Sequence, residues 1–171
     1  MIHCDVKTCV GCRMCEVACS AFHFGAVSPA LSRIRVAKLE EIGIDMAIAC
    51  LGCLEKPCLV CASEALSVGE KGEIFLVAKL CNACELCLDA CPVGAVGFYD
   101  DQPLFCDLCD GATSCVKVCP TGALSYRENE EITLEAFLQA AGYENQRRAY
   151  FVAVQAEPIR ESWKNGARVD S

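Results

Sequence analysis

Four cysteine quartets constrain this chain more than any other feature. In order they are Cys9-x2-Cys12-x2-Cys15-x3-Cys19, Cys50-x2-Cys53-x4-Cys58-x2-Cys61, Cys81-x2-Cys84-x2-Cys87-x3-Cys91-Pro92 and Cys106-x2-Cys109-x5-Cys115-x3-Cys119-Pro120. The tails of the last three rhyme as CASEAL, CPVGAV and CPTGAL. Such self-similarity marks a repeated unit, which limits the fold before any single helix or strand does. Seventeen cysteines in 171 residues is the density of a disulfide scaffold or a metal protein.

Disulfides fit poorly. The count is odd, and the start MIHCDVKTCVGC has neither the basic opening nor the apolar stretch of an export signal. A reducing, cytoplasmic setting is therefore expected, where dense cysteines favour metal. No run of about 18 apolar residues predicts a membrane span. The formal charge of −8 argues against nucleic acid, whose phosphates need a basic face.

The third quartet has the spacing of the bacterial ferredoxin run C-x2-C-x2-C-x3-C-P. Three thiolates at two-residue intervals on a tight loop can wrap three corners of an iron–sulfur cube, while the fourth points to a neighbouring cluster. Proline then fixes φ and removes an amide donor as the chain leaves. Small residues (Gly11, Gly52, Ala83) sit where backbone must approach the cube closely. A Cys4 zinc ribbon is the competing reading, but zinc sites rarely need the third and fourth cysteines of this pattern or its proline.

Residues 1–127 resemble the four-cluster polyferredoxin subunits that serve molybdenum and tungsten oxidoreductases, hydrogenases and formate dehydrogenases. Within that group, the segment CSAFHFGAVSPALSRIRVAK (Cys19–Lys38) is similar to small subunits that accompany tungstopterin enzymes of the aldehyde oxidoreductase type, including the active-site complex of class II benzoyl-CoA reductases. The resemblance implies an α+β fold of two nested bacterial-ferredoxin-like βαββαβ-type modules. Module A would comprise 1–49 and 100–127, with module B at 50–99 inserted in it. It also implies four [4Fe–4S] clusters. Cys9, Cys12 and Cys15 would be joined by Cys119, and Cys106, Cys109 and Cys115 by Cys19. In the other module, Cys50, Cys53 and Cys58 would be joined by Cys91, and Cys81, Cys84 and Cys87 by Cys61. Cys4 is left over, expected as a buried apolar side chain in a first strand.

The second quartet departs from the pattern. Cys58 to Cys61 is one residue short, and Ala62 stands where proline is usual. Either the loop adjusts, or the cluster served by Cys61 is labile, three-iron or absent, leaving three cubanes.

Short β-branched or aromatic stretches predict strands at Ile2–Val6, Ile34–Val36, Ile74–Val77, Val96–Tyr99 and Leu124–Tyr126. Beyond Arg127, Leu134, Phe137, Leu138 and Ala141 recur at helical spacing, with Gly142 as a stop. The remaining 143–171 reads as an extended arm for docking a partner, so 128–171 forms a C-terminal helix and arm. No nucleophile–base pair, Walker loop or dinucleotide signature is present. His23, four residues after Cys19, is either a hydrogen-bond donor near a cluster or a purely structural histidine. By itself the chain is therefore expected not to be an enzyme. An electron-transfer subunit with a catalytic partner and a second redox protein, a free-standing shuttle, and a zinc-stabilised interaction module are the readings that follow.

Overall fold

Apolar runs of three to five residues between cysteine loops can form only short strands, and the chain pairs them two by two. The computed structural model describes residues 1–128, 134, 137 and 140–164. These form an α+β arrangement of β1 (Ile2–Cys4), α1 (Met14–Phe24), β2 (Arg35–Leu39), β3 (Ile44–Ile48), β4 (Leu66–Val68), β5 (Ile74–Leu76), α2 (Leu86–Asp89), β6 (Gly97–Tyr99), β7 (Gln102–Leu104), α3 (Ser114–Lys117), β8 (Leu124–Tyr126) and α4 (Glu144–Lys164). The five expected strands all form, within three residues of their expected bounds. β3, β4 and β7 were not expected, although IDMAI is as β-like as its partner.

The described strands make four two-stranded antiparallel sheets, β1–β8, β2–β3, β4–β5 and β6–β7. Three are hairpins between neighbours in sequence. The fourth closes the chain: Cys4 lies opposite Leu124, and Asp5 N donates to Ala123 O at 2.8 Å. The loop that leaves β1 and the loop that enters β8 therefore start from the same end of one sheet. The β6–β7 hairpin crosses the expected module boundary at 99/100. Its turn residues Asp100 and Asp101 have φ of 50° and 58°, the left-handed pair that suits the twist of a tight hairpin.

The β2–β3 hairpin is the centre of the core. Ile34, Val36, Ile44, Met46 and Ile48 are buried. One side is tied to α1 by Glu16, whose Oε1 accepts the Val36 amide at 2.8 Å although the residue is only 3 % exposed. The other side is covered by α4.

That cover corrects one expectation. The segment from Tyr143 is not an extended arm: Glu144–Lys164 is a 21-residue helix lying on its own chain. Its buried residues, Arg147, Phe151, Val152, Ala156 and Ile159, recur at helical spacing and form one stripe. The apolar strip in QRRAYFVAV thus finds its cover on β2 and β3. Most of the helix expected over 128–141, Leu138 included, lies outside the described residues. Leu134 and Phe137 are buried, and the Phe137 ring stands 4.8 Å from that of Phe151.

The start of α4 is clamped to the third-quartet region. Arg147 Nη2 donates to Leu88 O at 2.7 Å, and Arg148 Nη1 to Gly94 O at 2.7 Å. Gly94 has φ of 60°, and a Cβ there would stand 2.2 Å from Glu144 O, so the contact requires glycine. Arg147 also donates to Gly142 O. Replacing it (Arg147→Met) keeps the volume but leaves two carbonyls without their charged donor. The expected loss is about 2 kcal/mol, read as a fall of roughly 5 °C in thermal midpoint.

Candidate metal centres

Each quartet is held by a loop with the same backbone conformation. The residue just before the second cysteine has positive φ in all four: Gly11 59°, Gly52 64°, Ala83 56° and Leu108 60°. So does the residue two before the third cysteine: Arg13 63°, Lys56 42°, Glu85 60° and Thr113 43°. A short helix then starts at once, at Met14, Pro57, Leu86 and Ser114. Six of these eight residues are not glycine, and a left-handed conformation there costs of order 1 kcal/mol or more each. Alternating left- and right-handed residues turn successive N–H groups into one concavity, an anion-binding nest. The sequence signals only the two glycines.

The tails repeat as well. Three residues past the fourth cysteine, Glu64, Gly94 and Gly122 have φ of 54°, 60° and 67°. Cys61 Sγ lies 3.4 Å from Ser63 Oγ, and Cys119 Sγ 3.7 Å from Thr121 Oγ1. Cys61 therefore sits in the same kind of turn as Cys119 despite the shortened spacing and missing proline. The chain absorbs the lost residue in Pro57–Leu59, a 3₁₀ turn where the other quartets have α-helix. With 3.0 residues per turn instead of 3.6, fewer residues reach the same point.

Two of the centres are visible as cavities lined by thiols. Cys50, Cys53, Cys58 and Cys91 line one, walled by Ile74, Val93, Val96 and Phe105. Cys61, Cys81, Cys84 and Cys87 line another, walled by Leu66, Leu76 and Phe98. A third group consists of Cys19, Cys106, Cys109 and Cys115. Cys115 lies close enough to Cys109 and Cys19, and Cys106 to Cys115 and Cys19, for each thiolate to raise its neighbour's pKa. The fourth is the Cys9–Cys15 loop, next to which β1–β8 pairing brings the turn that carries Cys119. The groups follow one another: Cys15 lies within electrostatic reach of Cys115, Cys106 also lines the Cys50 cavity, and Cys91 and Cys87 are four residues apart on one segment.

Burial first, then neighbouring carboxylate or thiolates, pushes Cys15, Cys53, Cys58 and Cys115 up to about 12. Cys87 rises to about 11, mainly by burial. Such thiols ionise only where a metal supplies the positive charge. Backbone amides already aim at sulfur: Arg33 N to Cys19 Sγ and Ala95 N to Cys91 Sγ, both 3.2 Å. Cys61 is shifted down, chiefly by the Ser63 hydroxyl. At Cys119 burial pushes up, but the Leu124, Thr121 and Ala123 amides and the Thr121 hydroxyl outweigh it.

Around one tetrahedral zinc, thiolate sulfurs stand roughly 3.8 Å apart. Among the described residues, the group with three donor atoms within 4.8 Å of one another is His23, Asp107 and Cys109, not a cysteine quartet.

His23 Nε2 lies 3.6 Å from Cys109 Sγ and 3.3 Å from Asp107 Oδ1. Burial, then the Arg33 guanidinium, lowers its pKa, so the imidazole is held neutral. Asp107 was not singled out by sequence, yet it organises this corner: Oδ1 accepts the Cys109 amide at 3.0 Å, and Oδ2 pairs with Arg33. Cys4 is buried as expected, and its neighbouring thiol holds Cys9 below the ordinary thiol range.

No family model matches this chain. The polyferredoxin-like subunit of the aliphatic sulfonate oxidoreductase of Pyrococcus furiosus is 44 % identical over 86 residues, 49 % of each chain. The putative electron transport protein YsaA of Escherichia coli is 42 % identical over 100 residues, 54 % of this chain and 62 % of that one. Formate hydrogenlyase subunit 2 of Escherichia coli is 36 % identical over 101 residues, 58 % of this chain and 48 % of that one. The matched segments thus span about half of these relatives' length. Among solved structures, the active site complex BamBC of benzoyl coenzyme A reductase with benzoyl-CoA superimposes with a TM-score of 0.45, at 33 % identity over 79 % of this chain and 82 % of that one.

Proposed function

We propose that this chain is an iron–sulfur electron-transfer subunit. In this reading it holds four [4Fe–4S] clusters and carries electrons, in the cytoplasm, between an external redox protein and a catalytic oxidoreductase subunit of the molybdenum- or tungsten-pterin kind. The ligand sets are Cys9, Cys12, Cys15 and Cys119; Cys106, Cys109, Cys115 and Cys19; Cys50, Cys53, Cys58 and Cys91; and Cys81, Cys84, Cys87 and Cys61. The first two belong to module A and the others to the nested module B.

The observation that carries this reading is the loop conformation repeated at all four quartets, with left-handed residues at matching positions and thiols arranged around them. The names of the curated relatives, an electron transport protein and a polyferredoxin-like subunit, support it. A bound cubane supplies reversible one-electron chemistry. The chain's own residues do the rest. Ile74, Val93 and Phe105 keep water from the Cys50 cavity. The Arg33 and Ala95 amides donate to sulfur, and the His23 imidazole is positioned to donate to Cys109. Hydrogen bonds to sulfur disperse charge and so favour the reduced state.

Iron, acid-labile sulfide and zinc per chain, measured on anaerobically purified protein, test the reading. About sixteen iron and sixteen sulfide are expected, four of each per quartet. About twelve of each would mean that the Cys61 site has been lost. Stoichiometric zinc with little iron would overturn the reading. A native mass of one chain would favour the free-standing shuttle.

The potentials should be low. Four oxidised cubanes, each about −2 with its thiolates, add to a formal charge of −8, and negative surroundings raise the energy of an added electron. Redox titration followed by electron paramagnetic resonance should place the midpoints below zero millivolts. Midpoints mostly above zero would contradict this.

A further inference from the structure

The two outermost groups of cysteines lie beneath surfaces of opposite charge. Cys12 in the first quartet and Cys84 in the third are exposed, unlike the other quartet cysteines. Around Cys12 the exposed charges are Lys7 and Arg13 on its own loop. Lys117 is exposed at the end of α3, which packs against α1 and leads through Cys119 into β8, the partner of β1. The same segments carry exposed apolar side chains, Val10 at 59 %, Met14 at 45 % and Val118 at 37 %. Of the nearby carboxylates, Asp5 Oδ1 accepts the Lys7 amide at 2.9 Å, Asp45 lies 3.8 Å from Lys38, and the buried Glu16 lies 3.8 Å from Arg13, which itself stays exposed. Around Cys84 acids predominate, with Glu64, Glu85 and Asp89 exposed against one exposed cation, Lys79. A basic, apolar-studded face on a chain of formal charge −8 is a local departure from the whole.

We propose that this face is the docking surface for a small acidic electron-carrier protein; the inference rests on the electron-transfer reading above. Val10, Met14 and Val118 exclude water at the centre of the contact, and Lys7, Arg13 and Lys117 form a cationic rim that steers an acidic partner into place. Exposure of Cys12 keeps the electron path short. One electron leaves the reduced carrier and enters the first-quartet centre. The carrier is oxidised by one, this chain is reduced by one, and no bond or proton changes hands.

The test uses the iron-loaded full chain and a reduced acidic two-cluster bacterial ferredoxin as probe, mixed anaerobically by stopped flow. The second-order rate constant for the native chain should fall as ionic strength rises. The double variant Lys7→Glu/Lys117→Glu should react at least about tenfold more slowly at low salt and lose that salt dependence. Calorimetry with the oxidised ferredoxin should show a matching rise in Kd. Iron content and reduction by dithionite, read on the same samples, separate lost docking from a lost centre. Rates within twofold of the native chain, or a larger effect from Glu64→Lys/Asp89→Lys, would overturn the proposal while leaving electron transfer intact. A native chain that holds no iron, or takes no electron from dithionite, would overturn the electron-transfer reading and the docking surface with it.

Discussion

Removing the metal is expected to unfold most of this chain. Its secondary structure is too short to stand alone. Six of the eight strands are three residues long, and two-stranded sheets are marginal in water. α2 and α3 are four residues each, below the length at which an isolated helix survives nucleation. The loops between them hold Arg13, Lys56, Ala83, Glu85, Leu108 and Thr113 in left-handed conformations, each costing of order 1 kcal/mol or more. Something must hold these conformations in place, and in the proposed reading that is the bonding of sixteen thiolates to metal, which would act at every such loop. Iron can be stripped with ferricyanide and a chelator, and the thiols then kept reduced so that disulfides do not replace it. Circular dichroism should lose most of its folded signal, and the cooperative thermal transition should disappear. α4 should go with it, because its N-terminal clamp is to Leu88 and Gly94 within the third-quartet region. A native-like spectrum with a sharp transition would show that the β2–β3 and α4 core suffices to keep the loops closed.

Replacing Cys91 (Cys91→Ala) should cost one centre and break the row. Cys91 is 7 % exposed, lines the cavity with Cys50, Cys53 and Cys58, and accepts the Ala95 amide at 3.2 Å. Without its sulfur, that cavity keeps three thiols, all pushed up by burial, and one unpaired amide. Iron should fall from about sixteen to about twelve per chain. Because the cavity touches Cys106 on one side and adjoins the Cys87 group on the other, an electron entering at the first quartet should no longer reach the third. Cys4→Ala is the contrast: it removes a buried thiol outside the quartets, and iron should stay at about sixteen. Metal analysis and rapid-freeze resonance spectra check both variants. Full iron in Cys91→Ala would remove Cys91 from the ligand set.

Three thiols of each quartet lie within ten residues of one another, so their grouping is a local property of the chain. Local spacing also shows which tails repeat, and why Gly11 and Gly52 stand where φ is positive. That is why four thiol-bearing loops, the candidate metal centres, could be picked out from the sequence. Leu108, Glu85 and Thr113 in the same conformation could not, because nothing in their side chains favours it; closure of the loop imposes it. Nor could the accommodation of Cys61, which depends on the chain tightening to a 3₁₀ turn at Pro57–Leu59.

Tertiary structure decided everything that joins distant segments. The segment that follows Cys119 runs beside the start of the Cys9 loop because β1 pairs with β8 across more than a hundred residues. Asp107 gathers His23, Arg33 and the Cys109 amide, residues with no sequence relation to one another. The strip QRRAYFVAV reads equally well as a surface for a partner or as cover for its own core. The choice fell to the exposed face of the β2–β3 hairpin, where burying Phe151, Val152 and Ala156 takes two apolar surfaces out of water at once.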